Sequence, residues 1–265
     1  MDPVVSPLAG LVAALAESER FRAFAEAFPA NARVSEPALP LVLAALQREL
    51  ARPFVCLLAE DEEARDVAEA VGWYGDPDRV ALLPSRGVRA GSGLEPPAHL
   101  VGERARALDV LDAGGLVCAS ARALAEGAPP ASDRPEVVRL SMTRGAGLDE
   151  LVEALALAGY ERVERVEERG QIAVRGGLVD VFPSTGREPL RVEFFGDELE
   201  QIRAFSPFTQ RALHVVDEAT IYPARERTHA DPELAALMEE DGDEAVVPLI
   251  DRQPDAVWQL EDVER

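Results

Sequence analysis

The residues best suited to chemistry lie in two runs, Arg175-Gly176-Gly177-Leu178-Val179-Asp180-Val181-Phe182-Pro183 and Arg191-Val192-Glu193-Phe194-Phe195-Gly196-Asp197-Glu198. Successive side chains of a strand point to opposite faces, so in the second run Arg191, Glu193 and Phe195 share one face and Val192 and Phe194 the other. Only one face can be core. If Val192 and Phe194 fill it, Phe195 stands outside with Arg191, an aromatic beside a guanidinium, which is a combination enriched at protein interfaces. With Arg175 alongside, the three form a compact patch whose chemistry is recognition: planar forks for carboxylates and a ring for an apolar pocket. In the other arrangement Phe195 tucks under the 196–198 turn and Arg191 pairs with Glu193 or a neighbouring acid. The alternation weighs the two evenly.

Catalytic patterns are absent by comparison. The chain has no lysine, which removes Schiff-base chemistry and the P-loop, whose ammonium must reach the terminal phosphates. Gly91-Ser92-Gly93 lacks a third glycine and is followed by Leu94-Glu95-Pro96-Pro97, so it reads as a turn. Ahead of the helix expected at 38–50, Ser35-Glu36-Pro37-Ala38-Leu39-Pro40 offers no glycine amides and places a carboxylate where a phosphate would sit. The acid pairs Asp61-Glu62-Glu63, Asp149-Glu150, Asp197-Glu198 and Asp217-Glu218 read as solvated faces and helix starts. No serine sits in G-x-S-x-G. Cys56 and Cys118 lie inside apolar runs, as packed reduced thiols do, and His99, His214 and His229 have no ligand spacing, so no metal site is assigned. No cofactor is expected in this chain, and it is expected not to be an enzyme.

The elements that must position the two runs follow from periodicity. Apolar residues at three- and four-residue steps predict one or two helices over 7–28, and a helix is expected at 38–50. Then strand-like Phe54–Leu58, Arg79–Leu83 and Leu116–Ala119 alternate with helices at 61–71, 98–111 and 120–126, which predicts a parallel α/β sheet buried on both faces. The breaker-rich stretch from Glu126 to Pro135 marks a boundary near residue 137. Beyond it a strand (Val137–Ser141) and a helix (Leu148–Leu157) precede strand-like segments at Arg162–Glu168, Ala173–Phe182, Leu190–Phe195, Glu198–Phe205 and Ala212–Tyr222. Their short turns predict an antiparallel α+β domain. Around Ala235–Met238 a helix is expected, and Val246–Ile250 reads as a strand wanting a partner, both within a strongly acidic tail.

The 265 residues carry 27 basic against 49 acidic side chains, a formal net charge of −22, so free nucleic acid is a poor sole partner. No run approaches the ~18 apolar residues of a membrane span, and Met1-Asp2-Pro3 has no basic region ahead of an apolar one, so a cytoplasmic location without membrane contact is expected. The ending at Glu264-Arg265 has no terminating feature, which fits the front portion of a longer protein.

R-G-G-L-V-D-V-F-P and R-V-E-F-F-G-D-E-L-E-Q-I-R-A-F, continuing through Phe208-Thr209-Gln210-Arg211 to Pro223-Ala224-Arg225-Glu226, closely resemble the second domain shared by the excision-repair protein UvrB and the bacterial transcription-repair coupling factor, Mfd. The resemblance is specific over 138–226. Upstream, Leu82-Leu83-Pro84, Glu95-Pro96-Pro97 and the helix from Gly102 to Leu108 are similar to the coupling factor's first domain. The missing phosphate loop sides with the coupling factor, since UvrB keeps a working one there. The resemblance implies three parts: a degenerate α/β domain at 1–137, an inserted antiparallel α+β UvrA-interaction domain at 138–226, and an acidic segment at 227–265 that starts the piece completing the first domain. It also implies that Arg175, Arg191 and Phe195 contact UvrA. RNA polymerase, double-stranded DNA and ATP would then engage only domains beyond Arg265. The other reading is UvrB-like binding of nucleotide or damaged DNA.

Overall fold

In α1 (Ala9–Ala16) and α2 (Glu19–Glu26) the apolar positions Val12, Ala16 and Phe21 are buried, and the extended backbone of Ser18 separates the two helices. The structure is a computed structural model that describes residues 8–27, 30–50, 52–89, 92–143, 147–228 and 258–262. A short strand, β1 (Ala30–Val34), follows, and a 3-10 turn at Glu36–Ala38 with Pro37 near its start leads into α3 (Leu39–Leu50). Next come β2 (Phe54–Leu58), α4 (Asp61–Tyr74), β3 (Val80–Leu83), α5 (Ala98–Asp112), β4 (Leu116–Ser120) and α6 (Ala121–Ala125). Asp61, Glu62 and Glu63 occupy the first turn of α4, where negative charge complements the helix dipole. Ser92-Gly93 lies in a bend, with Gly93 at φ +70°; Gly91 is outside the described residues.

β2, β4 and β3 pair parallel in that order, as the alternation of strand and helix predicts. The central strand β4 is buried throughout. Leu116 and Cys118 face Leu43, Leu46 and Val71, whereas Val117 and Ala119 face Ala107, Val110 and Ala123. Burial on both faces does not extend to β2, where Val55 and Leu57 are exposed and belong to neither of the two clusters that cover β4. β1 and β13 (Trp258–Asp262), which the apolar patterning did not suggest, pair parallel with Ala30 opposite Trp258. The helix around Ala235–Met238 and the strand at Val246–Ile250 lie outside the described residues.

From residue 138 onward the elements are β5 (Val138–Ser141), α7 (Leu148–Leu157), β6 (Glu161–Arg162), β7 (Gln171–Arg175), β8 (Leu178–Val181), β9 (Leu190–Phe195), β10 (Glu198–Phe205), β11 (Ala212–Val215) and β12 (Glu218–Ile221). A six-stranded sheet runs β11-β10-β9-β8-β7-β6, antiparallel except for β6 against β7. β12 pairs with β5. On the inner face Val179, Val181, Val192, Phe194 and Ile202 pack with Leu151 and Leu155 of α7 and with Leu140 and Ile221.

Three expected strands are redrawn. Ala173–Phe182 is a hairpin, because Gly176 (φ +58°) and Gly177 supply a two-residue turn; a side chain on Gly177 would meet the Phe194 carbonyl oxygen at 2.6 Å. The Arg162–Glu168 strand stops at Arg162, and the chain then crosses the outer face, burying Val166 against Ala173 and Phe182. Ala212–Tyr222 splits at Val216-Asp217: Val216 donates to the Ile202 carbonyl of one sheet, and the Asp217 carbonyl accepts from Met142 beside the other.

The chain divides into two compact units, one holding the residues up to Ser85, Arg106–Gly127 and β13, the other Arg86–Ala105 and the residues from Ala128. The second unit thus takes in more than 138–226. Within it, the Glu226 carboxylate accepts from Arg104 at 2.7 Å and Arg86 at 2.9 Å, tying the first segment to the end of the last.

Candidate protein-docking site

In the strand order β7-β8-β9-β10 both tight turns, 175–178 and 195–198, fall at one end of the sheet, since antiparallel neighbours joined by hairpins alternate ends. Val192 and Phe194 fill the inner face, so the opposite parity sends Arg191, Glu193 and Phe195 outward. Phe195 is 80% exposed. Of the two arrangements the alternation allows, the outward ring is the one that forms. The same parity on neighbouring strands sends Arg175, Leu178 and Asp180 to that face, with Asp180 opposite Arg191 and Leu178 opposite Glu193.

The arginines converge on one carboxylate. Arg191 donates from Nε to Asp180 Oδ1 at 2.6 Å and from Nη2 to Oδ2 at 2.8 Å, while Arg175 donates from Nη2 to the same Oδ2 at 2.9 Å. Asp180 is 2% exposed and sits between the two cations. The Arg191 guanidinium also lies over the Phe205 ring, 4.8 Å from its centroid. The Asp180 hydrogen bonds push the Arg191 pKa up, against the effect of burial. Arg191 therefore takes its acid from within the chain, as the alternative reading supposed, although the acid is Asp180 and not Glu193. Glu193 is bonded to Arg203 instead.

Exposure separates the two arginines. The Arg175 side chain is 54% exposed and gives one Nη to Asp180; Arg191 is 22% exposed and gives its Nε and one Nη. Arg175 keeps more donors turned to solvent. Phe195 lies four residues from Arg191 along β9, about 13 Å at the usual rise, with the Glu193–Arg203 pair between them. The patch is an elongated stripe, not the compact cluster that the residue types suggested. Its charged members are Arg175, Arg191 and Arg203 against Asp180, Glu193 and Glu198, the last opposite Phe195, so the stripe is neutral on a chain of −22.

Asp180 and Phe205 escaped the sequence reading. The only signal was a carboxylate in the V-D-V alternation of β8, at an outward position, and its partner appears only once the register of β8 on β9 is known.

The acid pairs at 149–150, 197–198 and 217–218 are exposed. Asp61 differs: it accepts from the Ser85 amide and hydroxyl and from the Ser120 hydroxyl at the ends of the parallel strands. Burial raises its pKa, but those hydrogen bonds outweigh it and hold the carboxyl below its ordinary value. Among the described residues no helix is long and apolar enough to cross a membrane.

Residues 138–226 match the family model of the UvrB interaction domain. The chain is 36% identical over 203 residues to the transcription-repair-coupling factor of Mycobacterium tuberculosis, covering 73% of this chain and 16% of that protein. It is 38% identical over 196 residues to that of Myxococcus xanthus, 70% of this chain and 16% of the relative. A UvrABC system protein B from Methanothermobacter thermautotrophicus is 39% identical over 88 residues, 33% of this chain and 14% of that protein. The chain is thus similar to the part of transcription-repair-coupling factors that shares homology with UvrB, and it spans about a sixth of the length of those relatives. The stripe described above lies wholly inside the residues that match the UvrB interaction domain model.

Proposed function

We propose that the UvrB interaction domain docks UvrA through Arg175, Arg191 and Phe195, and so recruits nucleotide excision repair to stalled RNA polymerase. One observation carries the reading: Phe195 stands 80% exposed at the end of a strand whose Arg191, with Arg175 two strands away, is held in place by a buried carboxylate. An exposed ring on the same sheet face as ordered guanidinium groups is a surface prepared for a partner, because little side-chain freedom remains to be lost on binding. Phe195 fills an apolar pocket on UvrA, and Arg175, with more of its donors facing solvent, meets a carboxylate there. In this reading the module acts by binding and has no catalysis of its own. RNA polymerase, double-stranded DNA and the ATP-driven motor belong to other domains of the whole protein.

Calorimetric titration of UvrA into the chain and into Arg175→Ala and Phe195→Ala variants tests the assignment. Saturable binding that each substitution weakens tenfold or more supports it; equal affinity for all three proteins ends it. Because the chain carries a net charge of −22, the association rate should respond to salt more strongly than the dissociation rate.

A further inference from the structure

We infer that Cys56 and Cys118 form a reversible thiol–disulfide site within the parallel sheet. Cys56 of β2 and Cys118 of β4 are register partners, and both side chains point to the face covered by α3 and α4. Adjacent strands lie about 4.8 Å apart, inside the ~4.4–6.8 Å Cα range of disulfides. Strands in register also hold their Cβ atoms near that spacing, a little beyond the ~3.5–4.5 Å a bridge prefers. The bond can therefore form without moving either strand far, and the residual strain makes it readily reducible.

The two sulfurs are unequal. Cys118 is fully buried, whereas Cys56 is half-buried on β2, at the edge of its sheet. The neighbouring Cys118 thiol holds the Cys56 pKa below its ordinary value against burial, while the same interaction and burial push Cys118 up. Cys56 is thus the attacking sulfur and Cys118 the resolving one.

With a small disulfide such as oxidised glutathione as oxidant, the Cys56 thiolate attacks one of its sulfurs and expels one glutathione thiolate. Cys118, losing its proton, then attacks the Cys56 sulfur of the mixed disulfide and expels the second. Two protein thiols lose two electrons and two protons, and one glutathione disulfide becomes two thiols. Closure tethers an edge strand whose Val55 and Leu57 are exposed to the buried centre of its sheet.

The test incubates the whole chain with oxidised glutathione under native conditions, alkylates residual thiols after denaturation, and reads the mass. The expected product has lost both alkylatable thiols, carries no glutathione, is monomeric, and regains both thiols with reduced glutathione. In Cys118→Ala the adduct on Cys56 should persist, because nothing resolves it. Retention of both thiols, a lasting glutathione adduct on the unsubstituted chain, or dimers joined through Cys56 would each overturn the inference.

Discussion

Asp180 and Arg191 face each other across β8 and β9 in a two-pronged ion pair, with Nε on Oδ1 at 2.6 Å and Nη2 on Oδ2 at 2.8 Å. Arg175 closes on the same carboxylate from β7, so one buried acid fixes two of the stripe's three arginines. Double bonding of this kind sets orientation as well as distance, which a single hydrogen bond does not.

Asp180→Asn should therefore act at a distance. Nothing outside the chain can touch a side chain that is 2% exposed, yet removing its charge frees two guanidinium groups to swing. We expect a stability loss of about 1–3 kcal/mol from the lost charged hydrogen bonds. UvrA affinity should fall as well, and a double-mutant cycle with Arg191→Ala should be strongly non-additive. Full affinity in the Asn variant would show that the arginines need no such support.

Phe195→Ala separates binding from folding. An 80% exposed ring contributes little to stability, so the melting temperature should stay within the shift of about 0.5 kcal/mol typical of surface changes. A ring that fills a partner's pocket costs ~2–4 kcal/mol when truncated, roughly thirty- to several-hundred-fold in affinity. Calorimetry against UvrA paired with thermal melts distinguishes these quantities. A large drop in melting temperature would mean that the ring serves the fold.

Strand alternation in R-V-E-F-F put Phe195 on the face opposite Val192 and Phe194, but whether the ring stands free or tucks under the 196–198 turn is decided only by the folded hairpin, which leaves it 80% exposed. The parallel order of β2, β4 and β3 was legible for a similar reason: continuous apolar runs between helices have few other solutions. Asp180 was not legible, since its role depends on which residue of β9 lies opposite it, and register is set by the whole sheet. The Gly176-Gly177 turn was hidden inside an apolar stretch that reads as one strand, although paired glycines there are the local mark of a hairpin. β1 and β13 pair across more than 220 positions, which no local pattern reveals.

Acid should loosen the second unit through Glu226. Burial raises this carboxyl's pKa, but the Arg86 hydrogen bond and the charges of Arg104 and Arg86 outweigh it, so the folded value lies below the ordinary one. A carboxylate with a depressed pKa contributes stability above its unfolded value, about 4.3, and that contribution disappears as pH falls through the folded value. Glu226→Gln should remove this part of the acid dependence. It should also destabilise the protein at neutral pH by about 3 kcal/mol, because Arg104, 3% exposed, loses a charged partner. Denaturant melts of both proteins at pH 3 to 7 measure the effect; curves that stay parallel throughout would contradict it.

At alkaline pH the absence of lysine makes one tyrosine visible. Between the cysteines and the arginines the chain has only three tyrosines to titrate. The Tyr160 hydroxyl donates to the Tyr222 carbonyl at 2.7 Å and accepts from the Ser184 amide at 3.0 Å, beside the helix α7 that covers the inner face. Burial, only partly opposed by the Ser184 hydrogen bonds, pushes its pKa up to about 12. A raised pKa means that the unfolded chain loses this proton first. The stabilisation is complete below about pH 10, the unfolded value, and drains away as pH climbs towards 12. Two units correspond to at most about 2.7 kcal/mol. Tyr160→Phe should cost about 1–2 kcal/mol at neutral pH, because the Tyr222 carbonyl and the Ser184 amide each lose a partner. Above pH 10 the gap between the two proteins should narrow, since only the tyrosine form still has a proton to lose. Urea melts at pH 8, 10 and 11 compare them directly, and a gap that widens with pH would show that the alkaline transition begins elsewhere.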